Sequence, residues 1–321
     1  MLFIASVLER KKMSIKICVI SPISHLEDFS HLGEIDMSLS HLVLENGGCN
    51  DYSRYYQKQS EKGRYVILDN SAFELEQRGK GLDPNLVLDA AEVICPSEVI
   101  ATDVLFEGAA TVWSTKNFIK AMKARNLIGK YKVMAVVQGK TEEEWFDCLI
   151  QLLWIPEVDV IGFSKLSIPM SFLGERESSG NCAQARLKCT EKIQSRIDDL
   201  IKKESCYGAL FSPLTRLYRE CDNGGVVQVH LLGGDNWTAW EMKQQSRYPW
   251  IRSNDSSCAV WYGADLQEFD DEGKINDIIL EKPDLENENE RTKGRLEVAR
   301  GYILSNICHW HMACKGDPNV R

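Results

Sequence analysis

Apolar and polar positions along this chain come in blocks, and the blocks switch between two periods. Short, nearly continuous apolar runs at Ile15 to Ile20, Tyr65 to Leu68, Val99 to Thr102, Lys132 to Val137, Val158 to Phe163 and Val226 to Leu232 have the length and branched content of buried strands. Ile35 to Leu44 reads as an extended or mixed segment that stops at Asn46-Gly47-Gly48, and Trp250 to Ser253 as a short strand whose end delivers Asp255. Helical stretches lie between them. Asp51 to Lys62 is polar and helical, Asp83 caps NLVLDAAEVI with Pro84 at its first position, and Ser114 or Thr115 caps a basic helix through Arg125. Thr141 and Glu144 form a capping-box pattern at the head of TEEEWFDCLIQLL, Met170 to Cys182 reads as a loop, and a long helix spans Ala183 to Lys203. A tryptophan-containing helix then leads to Trp250. Alternating strands and helices over 15–264 have the rhythm and the size, about 250 residues, of a (β/α)8 TIM-like barrel, an α/β fold.

The flanks differ. Residues 1–14 read as an N-terminal extension, with Met13 as an alternative start directly before the first strand. Asp265 to Glu290 is an acidic linker or hairpin, and a final helix from about Arg291 to Cys314 carries Leu296, Ala299, Ile303, Ile307 and Trp310 at helical spacing, which predicts that it docks on the barrel. Thus 265–321 forms a C-terminal helical extension.

Composition sharpens this. The chain has 321 residues and a net charge of −9, and the stretch from Asp265 to Glu290, with 11 acidic residues and two lysines, accounts for all of it. The remainder is neutral and can gather its lysines and arginines on one face, so a nucleic-acid partner is compatible with the acidic total. Eleven cysteines without paired spacing suit reduced, mostly buried thiols. No apolar run approaches a membrane span, and the opening LFIASVL precedes its basic residues, the reverse of a secretory signal. Both point to the cytoplasm, the host's if the source is viral, with no membrane partner.

The chemistry is expected where strands end. Residues just past the C-terminal ends of barrel strands line the active site, and here those positions are polar or glycine: Asp69, Asp103, Gln138-Gly139, Gly162, Gly233-Gly234 and Asp255. Each has an ordinary alternative as a cap or turn residue. Asp69 and Asp255, brought from distant strands to one rim, suit nucleophile and acid/base work because a shared site can drive their pKa values apart. His230, inside an apolar strand, reads as a satisfied core histidine.

In sequence order these segments resemble the tRNA-guanine transglycosylase superfamily, and within it the archaeosine-type enzymes and the phage-type DNA-modifying 7-deazaguanine branch. ILDNSAFE is similar to the DSGGFQ or DSGAFQ segment, VIATDVLFEG to the substrate-binding aspartate strand, and MAVVQGK to VQGG. DVIGFSK is similar to the glycine-containing strand that follows, VHLLGG to the glycine-rich penultimate element, and NDSSCAVWYGA to DSASYALYA. The resemblance covers about Ile35 to Ala264. It implies exchange of guanine in DNA for a 7-deazaguanine base of the preQ0 kind, through a covalent glycosyl-aspartate intermediate. Asp255 matches the nucleophile and Asp69 the general acid/base. Phe73 matches an aromatic that stacks on the base, Asp103 and Gln138-Gly139 match groups on the guanine edge, and Gly162 and Gly233 match further backbone contacts.

The pattern also departs from the family. The cysteine-rich zinc segment that follows the catalytic strand in cellular members has no counterpart, since Asp265 to Glu290 contains no cysteine. Cys308, His309, His311 and Cys314 do not converge as a ligand set, so neither zinc nor another cofactor is expected. The basic run of the bacterial type is missing too, which favours DNA over tRNA as the polymer. A tRNA-directed enzyme, a catalytically inactive nucleic-acid-binding relative and a glycoside-processing barrel stand as alternatives. Phosphate contacts are sought at Arg247 and Arg252 flanking the last strand, at Lys165, at Lys116, Lys120 and Lys123, and at Arg186, Lys188, Lys192 and Arg196. Family enzymes often pair, so a homodimer is an open expectation.

Overall fold

The apolar runs become eight parallel strands: β1 Lys16–Val19, β2 Asp36–Leu39, β3 Val66–Asp69, β4 Glu98–Ile100, β5 Lys132–Val137, β6 Val160–Ser164, β7 Gln228–Leu232 and β8 Ile251–Ser256. The computed structural model describes residues 14–77, 82–178, 180–203, 212–218, 226–275 and 290–315. Within it the strands pair in the order β1-β8-β7-β6-β5-β4-β3-β2. β1 and β2 meet through the Cys18–Ile35 bridge and through the N–H groups of Glu34 and Ile35 on the Ile17 carbonyl. The sheet therefore curls into a nearly closed (β/α)8 barrel, as its sequence rhythm predicts.

The helices are α1 Leu26–Phe29, α2 Ser40–Val43, α3 Asp51–Glu61, α4 Ala72–Gln77, α5 Pro84–Ile94, α6 Gly108–Ala124, α7 Glu142–Leu153, α8 Ser167–Leu173, α9 Asn181–Lys203, α10 Thr238–Gln245, α11 Cys258–Ala264, α12 Glu290–Val298 and α13 Arg300–Cys314. Their starts follow local chemistry. Asp83 accepts from the Asn85 N–H with Pro84 at the first position, and Thr141 accepts from the Glu144 N–H. Each satisfies a backbone donor that the helix leaves open.

Some boundaries differ from the pattern. α6 starts at Gly108 rather than at Ser114 or Thr115, because Ser114 donates to Thr102 Oγ1 and Thr115 is buried, so neither hydroxyl is turned to a cap. The segment from Met170 opens inside α8, where Phe172 packs edge-on against Trp145, ring centroids 5.4 Å apart. The C-terminal helix is two helices that meet at Ala299. Its predicted stripe holds nevertheless: Leu296, Ala299, Ile303, Ile307 and Trp310 are all buried. α13 packs so closely on α11 that a Cβ on Gly263 would lie 2.7 Å from Ile303 Cα. Residues 1–13 and 276–289, and with them most of the expected extension and acidic linker, lie outside the described residues.

Two apolar layers fill the space between sheet and helices, and a smaller cluster fills the barrel itself. That inner cluster comprises Cys18, Ile35, Met37, Ile67, Ile100, Met134, Val136 and Val160. Alternation along a strand sends every second residue inward, so the same rule that places these plugs also turns Asp69, His230, Ser253 and Asp255 toward the interior. Among the described residues no helix is long and apolar enough to cross a membrane.

Candidate active site at the C-terminal end of the barrel

A cavity of about 510 Å³ opens at the C-terminal ends of the strands. Asp69, Asp103 and Asp255 line it with Asn70, Phe73, Glu74, Gln138, Lys165, Gly233 and Trp261, over an apolar floor that includes Ile100, Val136 and Leu232. A mostly apolar hollow with a few converging polar groups has the character of a small-molecule site.

Asp69 ends β3, and the turn that follows is built from side chains. Its Oδ1 accepts from the Ser71 N–H at 2.9 Å, and Asn70 Oδ1 accepts from the Ala72 N–H at 2.8 Å. Ser71 takes the left-handed conformation, φ 60°, to make this possible. Phe106 does the same at φ 65°, and its N–H donates to Gln138 Oε1 at 3.0 Å. Left-handed non-glycine residues cost about 1–3 kcal/mol each and gather at functional sites; here both hold a side chain of the cavity wall.

Asp103 is buried at the centre of a polar triad. Asn70 donates to its Oδ1 at 2.8 Å and Gln138 donates to its Oδ2 at 2.7 Å. Burial raises its carboxyl above the usual range, and the two amide donors pull the other way. Each oxygen keeps capacity for a further donor, because a carboxylate offers about four lone-pair positions. The carboxyl of Asp69 is pushed well above the ordinary value, by burial first and then by the nearby Glu74. Asp255 and Asp103 add to that push, while the Ser71 N–H opposes it.

Asp255 lies in β8, which reaches Ser256 and so extends past the predicted end at Ser253. Its Oδ1 accepts from the Gly233 N–H at 2.9 Å and lies 2.9 Å from His230 Nε2. Gly233 presents that N–H from a backbone with φ 67°, where a side chain would also strike the stem of Lys165. On its other side, His230 Nδ1 lies 2.7 Å from Ser253 Oγ, which accepts from Arg252 Nε at 2.9 Å. Arg252 in turn holds Glu98 through two nitrogens, at 2.7 and 3.1 Å. The histidine is a satisfied core residue, as its apolar strand suggests, but one of its partners is the candidate nucleophile. Nothing in a single sequence marks that contact; the inward alternation of VHLLGG was the available signal.

No family model matches this chain, and no curated protein matches it.

Several expected site residues are placed elsewhere. Arg252 is at the start of β8, buried against Glu98 and Tyr65 at the opposite end of the barrel from the cavity. The register slips between Val229 and His230, leaving Arg252 as the extra residue of β8, and such a bulge re-aims side chains. Arg247 precedes β8 at that same far end and pairs with Glu191. The expectation that these two arginines stand at the rim is thus corrected: flanking a strand in sequence puts them before its start, where the parallel barrel faces away from the site. Gly139 packs against α7, with the Trp145 nitrogen 2.6 Å from where its Cβ would be, and does not line the cavity. Gly162 is beneath the floor, where a Cβ would meet Leu232 Cδ1 at 2.7 Å. Its missing side chain makes room for the floor.

Of the remaining cations, Arg186 is fully buried, donating to Glu241 at 2.6 Å and to the Leu232 carbonyl at 3.0 Å. Lys188 donates to the Phe172 carbonyl, Lys192 pairs with Glu142, and Arg196 stacks over Phe146. Lys123 pairs with Glu157, while Lys116 and Lys120 are exposed on α6. Lys165 alone of these lines the cavity, and its ammonium has no ion-pair partner among the described residues. No group of three or more His, Cys, Asp or Glu side chains among the described residues could hold a metal ion. His311 bonds the Leu32 carbonyl at 2.8 Å, and Cys314 is buried.

Proposed function

We propose that this protein exchanges guanine in DNA for a 7-deazaguanine base by covalent double displacement. The observation that carries the reading is one cavity lined by two acids held in different surroundings. The carboxyl of Asp69 is raised well above the ordinary value by burial and then by Glu74, whereas Asp255 Oδ1 accepts from the Gly233 N–H and lies against His230 Nε2. In the same cavity the Asp103, Asn70 and Gln138 triad offers acceptors to the ring N–H and exocyclic amine of a guanine, and Phe73, exposed on the rim, offers a face for stacking.

The chemistry follows from those roles. An oxygen of Asp255 attacks C1′ as the bond from C1′ to the base nitrogen breaks, and the departing guanine takes its proton from Asp69. A 7-deazaguanine then occupies the vacated place and gives its ring N–H proton to Asp69. Its nitrogen attacks C1′ from the opposite face and releases the Asp255 carboxylate. Two inversions retain the sugar configuration, as in retaining glycosidases. The target base must leave the stack to reach the cavity, and Lys165 supplies a positive charge for the neighbouring phosphate.

The test incubates the protein with guanine-containing DNA, or with tRNA, and looks for a denaturation-resistant complex. Nucleoside mass analysis after addition of a 7-deazaguanine follows. A complex and an exchanged base on DNA, both lost in Asp255→Ala, support the reading. The same result on tRNA alone moves the substrate to RNA, and silence on both polymers removes the enzyme.

A further inference from the structure

Resting on that reading, we propose that His230 is the positioning residue that selects which oxygen of Asp255 attacks, its proton being placed by a hydrogen-bonded relay from the Glu98–Arg252 ion pair at the far end of the barrel.

The relay has a direction because its first donor is unambiguous. Arg252 Nε carries a hydrogen and no lone pair, so Ser253 Oγ must accept from it. The serine hydroxyl has one proton of its own to give, and His230 Nδ1 lies 2.7 Å away to receive it. With Nδ1 as acceptor, the neutral imidazole carries its proton on Nε2 and donates to Asp255 Oδ1, 2.9 Å distant. The opposite tautomer would set the Nε2 lone pair against a carboxylate oxygen. Glu98 fixes the guanidinium by a paired contact on its two terminal nitrogens, which leaves Nε aimed at Ser253. The interior is packed here: His230, Ser253 and Glu98 are all fully buried.

The consequence reaches the reacting atoms. Oδ1 receives two donors, His230 Nε2 and the Gly233 N–H, whereas Oδ2 has no hydrogen bond among the described residues. Oδ2 is therefore the attacking oxygen, and Oδ1 becomes the carbonyl oxygen of the glycosyl ester. The same two donors then stabilise the carboxylate as it leaves in the second displacement. His230 touches no substrate atom in this scheme; it acts through Asp255.

Nitrogen-15 NMR of histidine-labelled protein reads the proton without substrate, at a pH about two units above the ordinary imidazole value. His230, assigned by the signal lost in His230→Gln, is expected to carry its proton on Nε2 with Nδ1 bare. Ser253→Ala is expected to weaken that preference and Ser253→Thr, which keeps the hydroxyl, to restore it. In single-turnover adduct formation, His230→Leu is expected to slow the rate by about a hundredfold with little change in substrate affinity, because the attacking oxygen is no longer held in place. His230→Gln, whose amide N–H can stand in for Nε2, should recover most of the rate. A proton on Nδ1, a doubly protonated ring, or an unchanged adduct rate in a folded His230→Leu protein overturns the proposal. Absence of any adduct in the wild-type protein fails the transglycosylase reading instead, and the tautomer measurement then decides the relay by itself.

Discussion

Gln138 on the end of β5 donates to Asp103 Oδ2 at 2.7 Å, and its own Oε1 is held by the Phe106 N–H. One amide thereby fixes its own orientation and that of the acid beside it. Asp103→Asn keeps the shape but replaces an acceptor oxygen by a donor nitrogen that faces either Asn70 or Gln138. A guanine bound through this edge is expected to lose about 1–3 kcal/mol of affinity, roughly tenfold to a hundredfold. Calorimetric titration of guanine into wild-type and variant protein measures it.

Asp69 predicts a pH dependence with a definite sign. Its folded-state carboxyl is raised above the ordinary value of 3.8. An acid raised on folding favours the folded protein in its protonated form, and that contribution is complete below the unfolded value and fades as pH rises through the folded one. Asp69→Asn keeps the acceptor for the Ser71 N–H and removes the ionisation. The variant should gain stability over wild type progressively from about pH 4 upward. Thermal melts of both proteins across that range would show the difference, and equal melting curves at every pH would contradict it. Base exchange by the same variant should be lost.

The Arg252–Glu98 pair sets a stability prediction away from the cavity. Burial works against ionised Glu98, yet the Arg252 charge and the hydrogen bonds of Arg252 and Tyr65 outweigh it and hold the carboxyl below its usual range. Arg252→Met strands a buried charge and is expected to cost about 3–5 kcal/mol, whereas removing both charges with Arg252→Met and Glu98→Leu should restore most of it. Urea denaturation of the single and double variants measures both values.

Lys165 and Arg247 separate two ideas of where a polymer lies. Lys165→Ala should weaken binding to guanine-containing DNA and lower the salt slope of that binding by about one. Arg247→Ala, at the far end of the barrel and paired with Glu191, should leave both unchanged. Fluorescence anisotropy at several salt concentrations distinguishes them, and a larger loss from Arg247→Ala would turn the proposed face around.

The barrel was legible in the sequence because its causes are local. Buried strands need short apolar runs, helix starts need caps such as Asp83 and Thr141, and the docking helix shows its stripe from Leu296 to Trp310; each signal sits within one stretch of chain. The strand ends were legible for the same reason, and Asp69, Asp103, Gln138, Gly233 and Asp255 do share one cavity. What the sequence could not decide is pairing across the barrel. Whether Arg252 serves the rim or the core depends on which end of β8 it occupies and on Glu98, far away in the chain, being turned inward to meet it. His230 depends likewise on the register that brings β7 beside β8. Patterns of polarity report what a residue requires, an interior or a surface, whereas the identity of its partner is fixed only when distant segments close in space.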